Sequence, residues 1–354
     1  MIDTVIISIP PNEYKPRHDY RGSFKWKPVG KNSFFDKYLL FSTTPTNTYF
    51  PKVFLHKNGR SESLRLEFSA PKILYGNNLE EMYQKDFPQM ISKLQLVIFK
   101  MGLYLSKETL SRSKVCAIHI GKNIRLSNGY TASFVIKELS KLNISKRFDL
   151  NKTDFRNSGE GFQIYTKQHS IVFYDKSLEI LSDKKIADNL ALTGLFKQKT
   201  DQILRLEIRL CKAQKIKAVY GVLGLKYKEF LDTNCLDRHL IEILKYYWKT
   251  IVFCKNEFLF TKSVGLETNL TFLLRKLPDL KPKEVIYLVG LQSIAVSENS
   301  MREIRHLFDR KFSQRNWYRI TADIKKLKAI NRFETHDWVK QIEDQLGIIR
   351  VNSP

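Results

Sequence analysis

Residues 203–210 read Ile203-Leu204-Arg205-Leu206-Glu207-Ile208-Arg209-Leu210, an unbroken alternation of apolar and charged side chains. Successive side chains of a strand point to opposite faces. The stretch therefore predicts a strand with Leu204, Leu206, Ile208 and Leu210 on one side and Arg205, Glu207 and Arg209 on the other. The tetrapeptide LRLE occurs a second time, at Leu64-Arg65-Leu66-Glu67, followed by Phe68, and divides in the same way. In VCAIHIGKN (115–123), Cys116, Ile118 and Ile120 share a face, with Ala117, His119 and Gly121 opposite. In IVFYDK (171–176), Tyr174 and Lys176 lie on one face with Val172 behind them. If these four strands join one sheet, its back is core. Its front then gathers two carboxylates, an imidazole, a phenol, a lysine and several arginines.

With these four, the pattern predicts strands at 2–9, 37–42, 51–57, 62–69, 114–120, 161–166, 170–175 and 203–211. Residues 12–36 read as a polar, basic loop in which Phe24, Trp26, Phe34 and Phe35 interleave with Lys25, Lys27, Lys31 and Lys37. Such a loop suits stacked bases and phosphates, or tacks itself to the core by its aromatics. LYGNNL (74–79) is a turn cluster, followed by a helical stretch to Gly102 that Pro88 should break or kink. A helix capped near Thr131 covers 131–142, and 177–200 is a mixed polar segment. From about residue 213 the pattern turns helical. The fold class expected is α+β, an antiparallel or mixed central sheet with flanking helices over residues 1–212, followed by an α-helical region over 213–354 for DNA binding or an accessory role.

The 354 residues carry 60 Lys and Arg against 36 Asp and Glu, a formal charge of +24, with 43% hydrophobic residues. A chain of this composition buries a core, and an excess of this size points to a polyanion, most often nucleic acid. A generally basic surface with no such partner is the alternative. The charge is spread along the chain, so the expected footprint is a folded face. The four cysteines show no CxxC or zinc spacing, which argues for a reducing cytosol. No apolar run approaches a membrane span, and Asp3 with no basic flank argues against a signal peptide. A cytoplasmic location is expected, with no membrane partner. No GxxxxGK[ST] or GxGxxG stands in the chain, which sets nucleotide chemistry aside.

Carboxylate and imidazole together suit Mg²⁺ or Mn²⁺. A tyrosine beside a lysine and a divalent ion serves as a nucleophile once its phenol, with a pKa near 10, is met by positive charge. These are the parts for in-line attack of Tyr174 on DNA, leaving a phosphotyrosine link and a free 3′-hydroxyl. The plainer alternative stays open: Glu67 and Glu207 as cross-strand partners of neighbouring arginines, and His119 as a structural histidine.

Five segments occur in a telling order: MIDTVIISIP (1–10), FSAPKILYGNNLEE (68–81), VCAIHIGKNIRL (115–126), IVFYDKSLEI (171–180) and LRLEIRL (204–210). In these the chain resembles the replication initiators of filamentous phages, the gene II/gene X protein family, and their plasmid relatives among the rolling-circle HUH-type endonucleases. RNWYRITADI (315–324) resembles them more weakly. The resemblance implies an HUH-like nuclease fold for residues 1–212 and a nickase that starts rolling-circle replication. Such an enzyme cuts one strand at an origin, holds a 5′-phosphotyrosine link and rejoins the ends. It implies Tyr174 as nucleophile, Lys176 as its companion, and His119 as the metal ligand at the family's aspartate or histidine position. Gly121 stands where a second histidine would complete the HUH pattern, so Glu67 and Glu207 are the candidates to complete the ligand set for Mg²⁺ or Mn²⁺. DNA contacts are assigned to Lys72, Lys122, Asn123, Arg205 and Arg209. Arg302, Arg305, Arg310, Lys311, Arg315 and Arg319 are candidates to grip flanking duplex. Trp317, Tyr318 and Trp338 are expected in the core. The partners implied are origin DNA, single-stranded or as a hairpin, and a host helicase and polymerase in a bacterial cytoplasm. A conjugative relaxase or transposase would use the same chemistry, and a non-enzymatic basic DNA-binding protein would use none of it.

Overall fold

The computed structural model describes residues 1–348 other than 32–35, 46–47, 59–60, 143, 145–151, 157–160, 198–200, 254–255, 263–264, 297–304, 306–310, 312–313 and 331–333. The strands are β1 (Ile2–Ile9), β2 (Lys15–Pro16), β3 (Phe24–Lys31), β4 (Asp36–Ser42), β5 (Lys52–Asn58) and β6 (Ser61–Ser69) in the first part of the chain. They continue with β7 (Leu103–Tyr104), β8 (Lys114–Leu126), β9 (Lys152–Arg156), β10 (Gly161–Tyr165), β11 (His169–Asp175) and β12 (Gln202–Leu210). Ten of them form one sheet in the order β3-β4-β5-β6-β1-β8-β12-β11-β10-β9, and β2 pairs β7 in a small second ladder. Neighbours run antiparallel throughout. The protein is thus α+β with an antiparallel sheet.

Strand parity places the core. Val5, Ile7, Leu64, Leu66, Phe68, Ile118, Ile120, Leu204, Leu206, Ile208, Ile171 and Phe173 are all 0–1% exposed. They form one cluster with the apolar sides of the helices at Phe87–Lys100 and Ala132–Ser140. The second of these shows why it folds: Ala132, Val135, Ile136 and Leu139 follow helical spacing, and the Thr131 hydroxyl accepts from the Phe134 N–H as N-cap at 3.1 Å.

Several expectations are corrected. Pro88 does not break a helix; it sits in the first turn of Phe87–Lys100, where a missing N–H costs nothing. Ala70–Tyr75 is a short helix closed by Gly76 at φ +77°, and the polar segment after Asp175 holds helices at Lys176–Leu181 and Lys184–Leu192. Part of the aromatic loop is strand β3 at the sheet edge; Phe34 and Phe35 lie outside the described residues. Parity fails at Cys116. Ile6 faces Ala117 and Ile7 faces Val115, so Cys116 is the extra residue of a bulge, half-exposed, and Val115 enters the core in its place.

Residue 212 does not separate two cores. Ile216 and Val219 (helix Ala213–Val222), Leu240 and Ile243 (helix Asp237–Tyr247), and Trp338 and Ile342 (helix Asp337–Gln345) belong to the sheet's own cluster. Gln345 and Gln341 accept from the Arg125 and Ser127 N–H groups of β8 and the turn after it. Leu273, Val285, Leu288, Trp317 and Leu327, from the helices Leu266–Lys276, Pro282–Val296 and Gln314–Ile330, form a separate cluster. Tyr318, expected in the core, is 63% exposed. Among the described residues no helix is long and apolar enough to cross a membrane.

Candidate functional site

The antiparallel registers bring the charged face together. Arg205 lies opposite Asn123 on β8 and opposite Tyr174 on β11; Glu207 lies opposite Gly121 and Val172; Arg209 lies opposite His119 and Ser170. Three adjacent strands thus present Tyr174, Arg205, Glu207, Arg209 and His119 on one surface.

Glu207 is 2% exposed and fully engaged. Arg209 Nε donates to Oε1 at 2.8 Å and Nη2 to Oε2 at 3.4 Å, while His119 Nδ1 stands 3.4 Å from Oε1. Burial opposes the charge of this carboxylate, but the hydrogen bonds from His119 and Arg209 outweigh it and hold Glu207 well below the usual carboxylate range. Burial likewise opposes the imidazolium of His119; hydrogen bonds with Cys211 and Glu207 overcome it and lift its pKa to about 9.

Arg205, assigned to DNA, is 2% exposed and works inside the protein. Its Nη1 donates to Asn123 Oδ1 at 2.8 Å and its Nη2 meets Asp3 Oδ1 at 3.3 Å. The guanidinium lies across Gly121, where an added Cβ would sit 2.3 Å from Nη2. That close approach is the structural reason for glycine at this position. Lys122 and Asn123 are also engaged. Glu81 takes the Lys122 ammonium at 2.8 Å and the Asn123 N–H at 2.6 Å, and Asn123 Nδ2 donates to the Leu79 carbonyl at 2.6 Å. The turn after Tyr75 therefore lies along β8. Lys72 stands half-buried, 5.9 Å from the Tyr49 ring.

Tyr174 is half-buried on this face. Burial raises its phenol pKa, with the nearby Arg205 cation pulling it down. Lys176 opens the helix after β11, whose N-cap is the Asp175 carboxylate accepting from Leu178 N–H at 3.0 Å. Its side chain is 0% exposed, and its Nζ donates to Asn78 Oδ1 and Glu179 Oε2, both at 2.7 Å, 5.8 Å from the Tyr174 ring centre. Burial draws the Lys176 amine down to about 8, against the pull of Glu179.

The structure does not bring Glu67 to this group. Its carboxylate takes the Lys52 ammonium across the strands at 2.8 Å. Among the described residues no group of three or more His, Cys, Asp or Glu could hold a metal ion. A protonated imidazole offers no lone pair, and Glu207 already carries a guanidinium on both oxygens. In this arrangement the residues do not fit Mg²⁺ or Mn²⁺.

Of the arginines expected on flanking duplex, Arg305 is 8% exposed and donates to the Ile144 carbonyl at 2.8 Å. Lys311, Arg315 and Arg319 are exposed, and Arg302 and Arg310 lie outside the described residues. Sequence reasoning missed Asp3, Asn78, Glu81, Glu179 and Cys211. The cue for two of them was the pair of amides and pair of acids in GNNLEE (76–81), a stretch read as a turn and as part of the resemblance but not as a source of partners for other strands.

In comparisons with known proteins, no protein-family model matches the chain, and no curated protein matches it.

Proposed function

We propose that the protein is a tyrosine-dependent DNA strand transferase of the HUH-like kind, acting as a rolling-circle replication initiator. The observation that carries this reading is Tyr174, half-buried on the charged face, opposite Arg205, with the Lys176 amine near its ring, in a chain of charge +24. The phenol oxygen attacks the scissile phosphorus in line. A phosphotyrosine bond forms to the 5′ side, and the bond to the 3′ oxygen breaks, that oxygen taking a proton from water as it leaves as the 3′-hydroxyl. The phenol proton passes to Lys176, whose lowered pKa leaves part of the amine neutral near pH 8. Arg209 supplies fixed positive charge beside the developing negative charge. Return of the 3′-hydroxyl reverses the step, so nicking and rejoining are one reaction.

The test incubates the full chain with a labelled, randomised single-stranded DNA library and resolves adducts under denaturing conditions. The wild type is expected to form a covalent adduct and Tyr174→Phe none. An adduct at wild-type level from Tyr174→Phe defeats the assignment. A second reading, a strand-binding protein without cleavage, draws support from the saturation of Glu207 by Arg209 and His119. It predicts binding with no adduct from either protein, with or without Mg²⁺ or Mn²⁺.

A further inference from the structure

The face that carries His119 and Glu207 continues across the sheet to its other edge, and there its chemistry changes. Residues directly opposite on neighbouring strands share a face. Ala117 faces Ile6 and Ile6 faces Glu67, so β6 presents Arg65 and Glu67 on the side of His119. Arg65 lies opposite Phe54, Phe54 opposite Leu39, and Leu39 opposite Lys27; Phe41, two residues along β4, lies opposite Lys25. Lys37 joins them from β4. Among the described elements, only strands pack broadly against β3, β4 and β5. Phe41 and Phe54 are half-buried, and Lys25 and Lys27 are exposed.

Each aromatic ring is capped by a cation. Lys27 Nζ stands 4.6 Å from the centre of Phe41, and Lys37 Nζ stands 4.1 Å from the centre of Phe54. An ammonium over an exposed ring is held by about 0.5–1 kcal/mol. It leaves readily when a base takes the ring, and the lysine then meets the phosphate beside that base. The one acid described on this strip, Glu67, is already met by Lys52. Strands about 4.8 Å apart put β4 some 24 Å from β12, room for a run of several nucleotides. Bases reach aromatic faces only when unpaired.

We propose that the open face of β3–β6 is a track for single-stranded DNA, with Phe41 and Phe54 as stacking platforms and Lys25, Lys27, Lys37 and Arg65 as phosphate contacts, leading toward Tyr174. The choice of DNA over RNA rests on the preceding reading of Tyr174; the stacking track stands on its own geometry. Of the aromatics first expected to stack, Phe34 and Phe35 lie outside the described residues, and Phe24 and Trp26 are placed away from this track. Phe24 packs edge-on against Phe50, and Trp26 lies opposite Leu40 on the other face.

The test measures fluorescence anisotropy of the full chain with a labelled oligothymidylate, an oligouridylate and a duplex, each of about 16 nucleotides. Phe41→Ala/Phe54→Ala is expected to weaken oligothymidylate binding by at least about tenfold, since stacking contributes about 1–3 kcal/mol per base, with less effect on the duplex. Lys27→Glu/Lys37→Glu, which spares the rings, should lower the salt dependence of binding. Melting temperature checks that each variant folds. Unchanged oligothymidylate binding in both double variants overturns the track. So does equal loss on single strand and duplex, which marks a generic basic patch. Tighter binding of oligouridylate than oligothymidylate overturns the assignment to DNA. Adduct formation by Tyr174→Phe sinks the preceding reading without touching these binding results, and loss of the adduct with unaltered binding in both double variants does the reverse.

Discussion

The tetrapeptide LRLE stands twice in the chain and meets two fates. In Leu64-Arg65-Leu66-Glu67 the two leucines are buried and Arg65 and Glu67 are half-exposed. In Leu204-Arg205-Leu206-Glu207 all four are buried, with Arg205 and Glu207 at 2% exposure. Alternation decides which side chains share a face; it does not decide whether that face meets water. β12 lies between β8 and β11, and the turn after Tyr75 and the helix at Lys176–Leu181 close over its charged side. β6 lies between β5 and β1 and keeps its charged side open. A buried charge must be paired to be tolerated, whereas an exposed pair contributes little. Asp3, Asn123, His119 and Arg209 surround the buried copy; among the described residues, Lys52 meets Glu67 in the open one.

Truncating both arginines separates the two copies most strongly. Arg205→Ala leaves Asp3 buried without its cation and should cost about 3–5 kcal/mol; Arg65→Ala should stay within about 1 kcal/mol. Urea unfolding measures both, and equal losses would undo the argument. Next in size, Gly121→Ala pushes the Arg205 guanidinium off its partners and should cost about 1–3 kcal/mol. In a double-mutant cycle the two changes should be strongly non-additive; simple addition would show that Arg205 does not depend on the bare glycine.

A smaller effect separates the sites by pH. His119 has a folded pKa near 9, raised above the unfolded value near 6.5. Its contribution is therefore complete below about pH 6.5 and fades as pH rises through about 9. The gap in melting temperature between wild type and His119→Gln should be wide at about pH 6 and narrow at about pH 9.5, and a gap that widens with pH contradicts the pairing with Glu207. Smallest of all, Glu67→Gln should change stability by less than about 1 kcal/mol; a loss as large as that from Glu207→Gln would mean Glu67 has a partner beyond Lys52.

Much of this was legible beforehand. Eight predicted strands match strands of the structure, and the two faces of β6, β11 and β12 follow from alternation, because each strand keeps one side in the core. Three things were not legible. The bulge at Cys116 depends on how β8 pairs with β1, which no spacing within β8 reveals. Glu81 lies some forty positions from Lys122, and nothing local tells an acid in a turn that it will meet a strand that far along the chain. Lys176 looked like the next residue of a strand, but the Asp175 cap starts a helix there and turns the amine inward. The divalent ligand set rested on strand parity together with the resemblance; parity places Glu67 on the same face as Glu207 but three strands away from it.

The shared cluster beneath the sheet has a practical consequence. A fragment ending at residue 212 would lay bare the undersides of β8 and β12 and leave Ile216, Leu240 and Trp338 behind. Such a piece should clump on expression, and swapping the last third for that of another protein should fail unless the helices at 213–222, 237–247 and 337–345 travel with the strands. The three described helices at 266–276, 282–296 and 314–330, which close a small interior of their own, are the part that exchange can reach.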